Sequence, residues 1–140
     1  MAHLQLRVYI NPGEAEIFLK IRKPNGDDET LTAIVDTGAQ RALVPNSLLE
    51  DIAYRQLGDE PFTITQAGIA NQHFEAIEAE IMVHLEDTLG NISPVFPITA
   101  WFANTDTAII GFGGILERAI FHLDMPTLSG YLEFPDPSPA

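Results

Sequence analysis

Asp36 is the acid whose position asks for a chemical explanation. It follows an apolar run, Ala33-Ile34-Val35, that reads as a buried strand, and it precedes Thr37-Gly38-Ala39. A carboxylate at the end of a buried strand is costly unless it is hydrogen-bonded or put to use. Its neighbours supply what use requires. Gly38 admits close backbone approach and offers its N–H, and the Thr37 hydroxyl can lock the loop. A carboxylate so placed can act as general acid or base toward a water or a carbonyl. The same tripeptide also suits an Asp that caps a strand-end turn, and the residues alone leave both readings open.

Other chemistries find little support. The chain has no cysteine, which excludes a disulfide framework, thiolate metal sites and thiol catalysis. His3, His73, His84 and His122 lack ligand spacing. Gly111-Phe112-Gly113-Gly114 is no phosphate loop, because Leu116 and Glu117 stand where a further glycine is needed and no Lys-Ser/Thr follows. No serine has nucleophile-elbow surroundings. Asn91-Ile92-Ser93 is a sequon by letter and runs into Pro94. Neither a metal nor another cofactor is expected.

The elements that must position Asp36 are mainly short strands divided by turns. Strands are expected over His3–Ile10, Ala15–Ile21, Leu31–Val35, Phe62–Thr65, Phe74–Leu85, Val95–Phe102, Ala108–Ile110, Phe121–Leu123 and Tyr131–Phe134. Pro97 marks an edge or a bulge. Leu48, Leu49, Ile52 and Ala53 fall at helical spacing between Pro45 and Gly58, and Ile115–Ile120 reads as a second short helix. Trp101, beside Phe102, is expected in the core. The sum is an all-β fold with one or two short helices. One domain is expected over 1–134, followed by a Pro-rich flexible tail over 135–140.

An internal echo ties two of these strands together. Thr32-Ala33-Ile34-Val35-Asp36-Thr37-Gly38-Ala39 is matched by Thr107-Ala108-Ile109-Ile110-Gly111-Phe112-Gly113-Gly114. Each copy is an apolar strand entering a glycine-bearing loop. Leu48-Leu49-Glu50-Asp51 follows the first and Ile115-Leu116-Glu117-Arg118 the second. The pattern fits a repeated half-domain.

Ala33-Ile34-Val35-Asp36-Thr37-Gly38-Ala39, followed by Leu43-Val44-Pro45, resembles the active-site loop of the retropepsin-like aspartic proteases. Ile109-Ile110-Gly111-Phe112-Gly113-Gly114-Ile115-Leu116 is similar to that family's second mark, an apolar pair and a glycine before a helix. The resemblance spans about Leu31 to Phe134. It implies half of an acid-protease β-barrel site, closed by homodimerisation, in which Asp36 of each protomer faces its twin. It implies an aspartic endopeptidase with Asp36, Thr37 and Gly38 as the catalytic loop, needing no metal or cofactor. It also implies a flap over the substrate, for which Gln66–Gln72 is the candidate. Ala39, Gly68, Ile69 and Ala70 are then expected to contact a peptide or protein substrate.

The chain also departs from the retroviral pattern. Gln40 and Arg41 stand where acids are usual, Phe112 where an arginine is usual, and Ala42 where a hydroxyl is common. These differences place it nearer cellular and bacterial relatives. They also keep open a catalytically silent module of the same fold that binds other proteins.

Composition agrees with a globular chain: 140 residues, 46 % hydrophobic and 19 % charged. Twenty acids against seven bases give a net charge of -13. Such a chain is repelled by phosphate backbones and anionic lipid, so neither nucleic acid nor membrane is an expected partner. No apolar run approaches the ~20 residues that span a bilayer. Met1–Ile10 lacks the basic-then-apolar form of a signal peptide. A cytoplasmic location is expected.

Overall fold

The computed structural model describes residues 4–11, 13–58, 62–65 and 73–135. The strands are β1 (Leu4–Arg7), β2 (Tyr9–Asn11), β3 (Glu14–Arg22), β4 (Asp28–Val35), β5 (Ala42–Pro45) and β6 (Arg55–Gln56). They continue as β7 (Phe62–Thr65), β8 (His73–Glu86), β9 (Phe96–Ala103), β10 (Ala108–Ile110), β11 (Ile120–Asp124) and β12 (Ser129–Phe134). The fold is all-β, and among the described residues its short helices are two 3₁₀ turns, Asn46–Glu50 and Leu116–Arg118.

Six strands close into a barrel in the order β3-β4-β10-β5-β9-β8. Phe18–Ile21 of β3 pairs with Val83–Glu86 of β8 and completes the ring. Two joins are parallel, β4 to β10 and β5 to β9; the others are antiparallel. Alternation along each strand fills the inside. Ile17, Leu19 and Ile21 point inward from β3, Ala79, Ile81, Val83 and Leu85 from β8, and Ile98, Ala100 and Phe102 from β9. β5 adds Ala42 and Val44, and β10 adds Ala108 and Ile110. A second sheet, β1-β12-β11, packs Leu6, Leu132 and Phe134 against the same core.

Several expectations are refined. The strand expected over His3–Ile10 is two strands broken at Val8, and His3 lies outside the described residues. The helix expected between Pro45 and Gly58 is one 3₁₀ turn without a side-chain cap. After it the Ala53 N–H donates to the Arg22 carbonyl at 2.9 Å and the chain re-enters the sheet as β6. Pro97 does lie on a local edge. It pairs with Met82 on one flank, while β5 reaches along β9 only as far as Ala100. Trp101 is not in the barrel core: Phe102 points inward and Trp101 points out. The turn Gln66–Gln72, with Gly68, Ile69 and Ala70, lies outside the described residues, as does the tail after Pro135. The strands leading into that turn pair as a hairpin, Phe62 with Ala76 through Thr65 with His73.

The turn between β8 and β9 holds a polar keystone that periodicity cannot reveal. Asp87 is 3 % exposed. It accepts the backbone N–H groups of Arg7, Leu89 and Asn91 and the Asn91 amide, all within 2.9 Å. Burial opposes its charge, yet the hydrogen bonds from Asn91, Arg7 and Leu89 outweigh burial and hold the carboxyl below its usual value of 3.8. A carboxyl lowered by folding stabilises above its unfolded value, and that stabilisation is lost as pH falls through the folded one. Asp87→Asn is therefore expected to cost about 2 kcal/mol at neutral pH. The deficit should shrink as pH is lowered below about 4. Urea titrations of both proteins across this range check it; a deficit independent of pH contradicts the assignment.

Candidate active site

Asp36 sits where an arch of chain crosses a buried strand end. β4 and β5 are consecutive in sequence, yet β10 lies between them, parallel to β4 and antiparallel to β5. The connection 36–41 must therefore span the end of β10, and the chain leaving Ile110 passes beneath it. The two echo segments are the two sides of this crossing. Ala108, Ile109 and Ile110 lie beside Ala33, Ile34 and Val35 in matching register.

Backbone hydrogen bonds stitch the arch to what lies below. The Asp36 N–H donates to the Ile110 carbonyl at 3.0 Å, Phe112 N–H to Ala39 at 2.8 Å, and Gly113 N–H to Gln40 at 2.8 Å. Such close approach leaves no room for a side chain at Gly111 or Gly113. A Cβ on Gly111 falls 2.5 Å from the Arg41 carbonyl oxygen and 2.8 Å from that of Ala39. A Cβ on Gly113 falls 2.5 Å from the Gln40 oxygen. Those two glycines are demanded by packing, and both stand in the motif singled out from sequence.

Within the arch, the Gly38 N–H donates to Asp36 Oδ1 at 2.9 Å, and Ala39 N–H to the Asp36 carbonyl at 3.2 Å. The carboxylate is half-buried, Thr37 and Gly38 are exposed, and Ala39 is buried. Asp36, Thr37, Gly38 and Ala39 thus share one hydrogen-bonded loop. Val35, Asp36 and Thr37 open onto a cleft of about 330 Å³ shared with Ile10, Glu14, Phe121, Leu123 and Met125. Glu14 is the second carboxylate on that cleft.

A separate apolar patch flanks the loop on the outer face of the barrel. Ala39, Leu43, Ala76, Ala103 and Ile109 are buried there, with Ile34 and Trp101 partly covered. The alternation that sends Ala108 and Ile110 inward sends Ile109 out to this patch. At its polar side the Trp101 indole N–H donates to Glu78 Oε2 at 3.0 Å, and Arg41 Nε lies 3.7 Å from the same oxygen. This Trp101–Glu78–Arg41 group was not legible in sequence, where only the apolar neighbours of Trp101 were apparent. Among the described residues, no three His, Asp or Glu side chains converge to hold a metal ion.

A closed six-stranded barrel, crossed by a parallel strand beneath an Asp-Thr-Gly arch, is the retropepsin-like fold. The chain matches the solved structure of a retropepsin-like aspartic protease from Rickettsia conorii, with a TM-score of 0.55 and 17% sequence identity. The match covers 95% of this chain and 92% of that one. No protein-family model matches the sequence, and no curated protein matches it.

Proposed function

We propose that the protein is an aspartic endopeptidase whose active site is assembled from two copies of the chain. The observation that carries this reading is the Asp36 arch. It presents one half-buried carboxylate, fixed by Gly38 and flanked by an exposed Thr37, at the crossing of β4, β10 and β5. Each chain has one Asp-Thr-Gly, so a pair of Asp-Thr-Gly carboxylates requires a partner.

Two Asp36 side chains facing each other across a two-fold axis cannot both stay charged, and they share one proton. The ionised member takes a proton from a water held between them, and the water oxygen attacks the scissile carbonyl carbon. The protonated member gives its proton to the carbonyl oxygen, which yields a neutral gem-diol. Collapse of the diol returns one hydroxyl proton to a carboxylate as the carbonyl reforms. The amide nitrogen takes a proton from the dyad, the C–N bond breaks, and an acid and an amine leave. Thr37 braces the two loops, and Gly38 and Ala39 leave space for an extended peptide. The partly covered Ile34 and Trp101, which lie over buried Leu43 and Ile109, favour apolar side chains next to the scissile bond.

Cleavage is expected to be favoured by acid for two independent reasons. The dyad must retain one proton, and two chains of charge -13 repel less as pH approaches the pI of about 4.4. Incubation with a reduced, unfolded protein across a pH series tests this, with sedimentation run in parallel. Acid-favoured cuts beside apolar residues, appearing only where the dimer is present, are the expected result. A folded dimer that binds peptide and never cuts it fits the silent binding module instead.

A further inference from the structure

The homodimeric reading leaves open which surface the partner covers, and the sheet β1-β12-β11 answers it. β12 is flanked on both sides by its own chain, with β1 on one edge and β11 on the other. It has no edge left to offer a partner. The two outer edges of this sheet differ in kind. On β1, the Arg7 N–H is occupied by Asp87 Oδ2, so the β8–β9 turn covers the Arg7 end of that edge. On β11, no strand among the described residues pairs with the outer edge.

The surface around β11 is also the wrong one to leave in water. Ile120, Leu123, Met125 and Leu128 are each about half exposed or more, at 48%, 48%, 51% and 60%. A free edge lined with large apolar side chains is a template for pairing. Phe121, Leu123 and Met125 line the same cleft as Asp36 and Thr37. A chain that covers this hairpin is thereby brought against the Asp36 arch. Phe112, whose N–H is bonded to Ala39, adds a further exposed aromatic ring beside the arch.

We propose that a second copy of the chain docks edge to edge on β11, the two strands running antiparallel about a two-fold axis. This rests on the homodimeric reading above and names its seam. The contact is isologous, so each copy gives and receives the same edge. With the strands fully overlapped, His122 pairs with its own twin and Asp124 stands opposite Ile120 of the other copy. No carboxylate then faces a carboxylate directly, which an acidic chain needs at its own interface.

The absence of cysteine makes the geometry directly readable. Directly opposed residues in an antiparallel pair have separations that suit a disulfide. His122→Cys is expected to give a covalent dimer under mild oxidation, and Gln5→Cys on β1 is expected to remain uncrosslinked. In a second arm, Leu123→Glu is expected to weaken dimerisation by on the order of a hundredfold in sedimentation. Its circular dichroism should be retained, because Leu123 is already half exposed in the single chain. Cross-linking at Gln5 and not at His122, a Leu123→Glu dimer as tight as wild type, or a wild-type protein monomeric at all concentrations and pH overturns the proposal. A dimer cross-linked through His122 that never cleaves peptide contradicts the enzyme and leaves this interface standing.

Discussion

Asp36→Asn is expected to abolish peptide cleavage while leaving fold and dimer intact. The substitution keeps the side-chain shape, and the amide oxygen can still accept the Gly38 N–H now held at 2.9 Å. It removes the group that takes the proton from the attacking water. A positioned base of this kind contributes about 10²–10⁴-fold, and because the homodimer loses both members of the dyad the loss should reach the top of that range or beyond. The effect should fall on turnover with little change in the apparent affinity for peptide. Unchanged circular dichroism and sedimentation establish that the loss is chemical. A variant that folds, dimerises and still cuts at more than about a tenth of the wild-type rate contradicts the assignment of Asp36 as the base.

Gly111→Ala is expected to have the largest effect of any single methyl group added to the chain at this crossing. The new Cβ falls 2.5 Å from the Arg41 oxygen, 2.7 Å from its carbon and 2.8 Å from the Ala39 oxygen, all backbone atoms. No rotamer relieves such a contact. Either the arch lifts, breaking the Phe112-to-Ala39 and Gly113-to-Gln40 hydrogen bonds, or β10 drops out of register with β4. Overpacking of this kind costs about 3 kcal/mol or more, which corresponds to a melting temperature lower by on the order of 10 °C. Cleavage should be lost as well, because the arch that moves carries Asp36. Gly38→Ala makes a contrasting control. There the nearest atom is Asp36 Oδ1 itself at 3.3 Å, so the carboxylate is displaced and activity suffers more than stability. Differential scanning calorimetry of both variants tests the contrast, and a Gly111→Ala melting curve superimposed on wild type contradicts it.

The parts of this fold that could be read from sequence are those governed by local pattern. Strict alternation in Ile17-Phe18-Leu19-Lys20-Ile21 and in Ala79-Glu80-Ile81-Met82-Val83 fixes which faces turn inward, and those residues do line the barrel. The likeness of Thr32–Ala39 to Thr107–Gly114 proved to be physical proximity, since Ala33–Val35 and Ala108–Ile110 are paired in the same register. The rest depends on contacts distant in sequence. Nothing local to Phe18–Ile21 or Val83–Glu86 says that these segments meet and close the ring. Leu48, Leu49, Ile52 and Ala53 have helical spacing. Yet Ile52 is drawn into the core at 3 % exposure while Ala53 bonds to Arg22, and no cap holds a longer helix. Asp87 was not legible as a keystone, because its Arg7 partner lies 80 residues away. At the candidate site, Asp36 and Gly111 were each visible in their motifs. What the structure adds is the reason they occur together: one arches over the other.

Subunit mixing distinguishes an active site built from two copies of Asp36 from one held within a single chain. Wild type is combined with increasing Asp36→Asn under conditions where subunits exchange, and cleavage is measured at constant wild-type concentration. If each site needs Asp36 from both chains, every mixed dimer is dead. Activity per wild-type chain should then fall to about one tenth at roughly a ninefold excess of the variant, by random pairing in a two-fold dimer. If activity per wild-type chain stays constant under demonstrated exchange, one chain holds a complete site. The second carboxylate would then have to be sought on the same cleft, at Glu14.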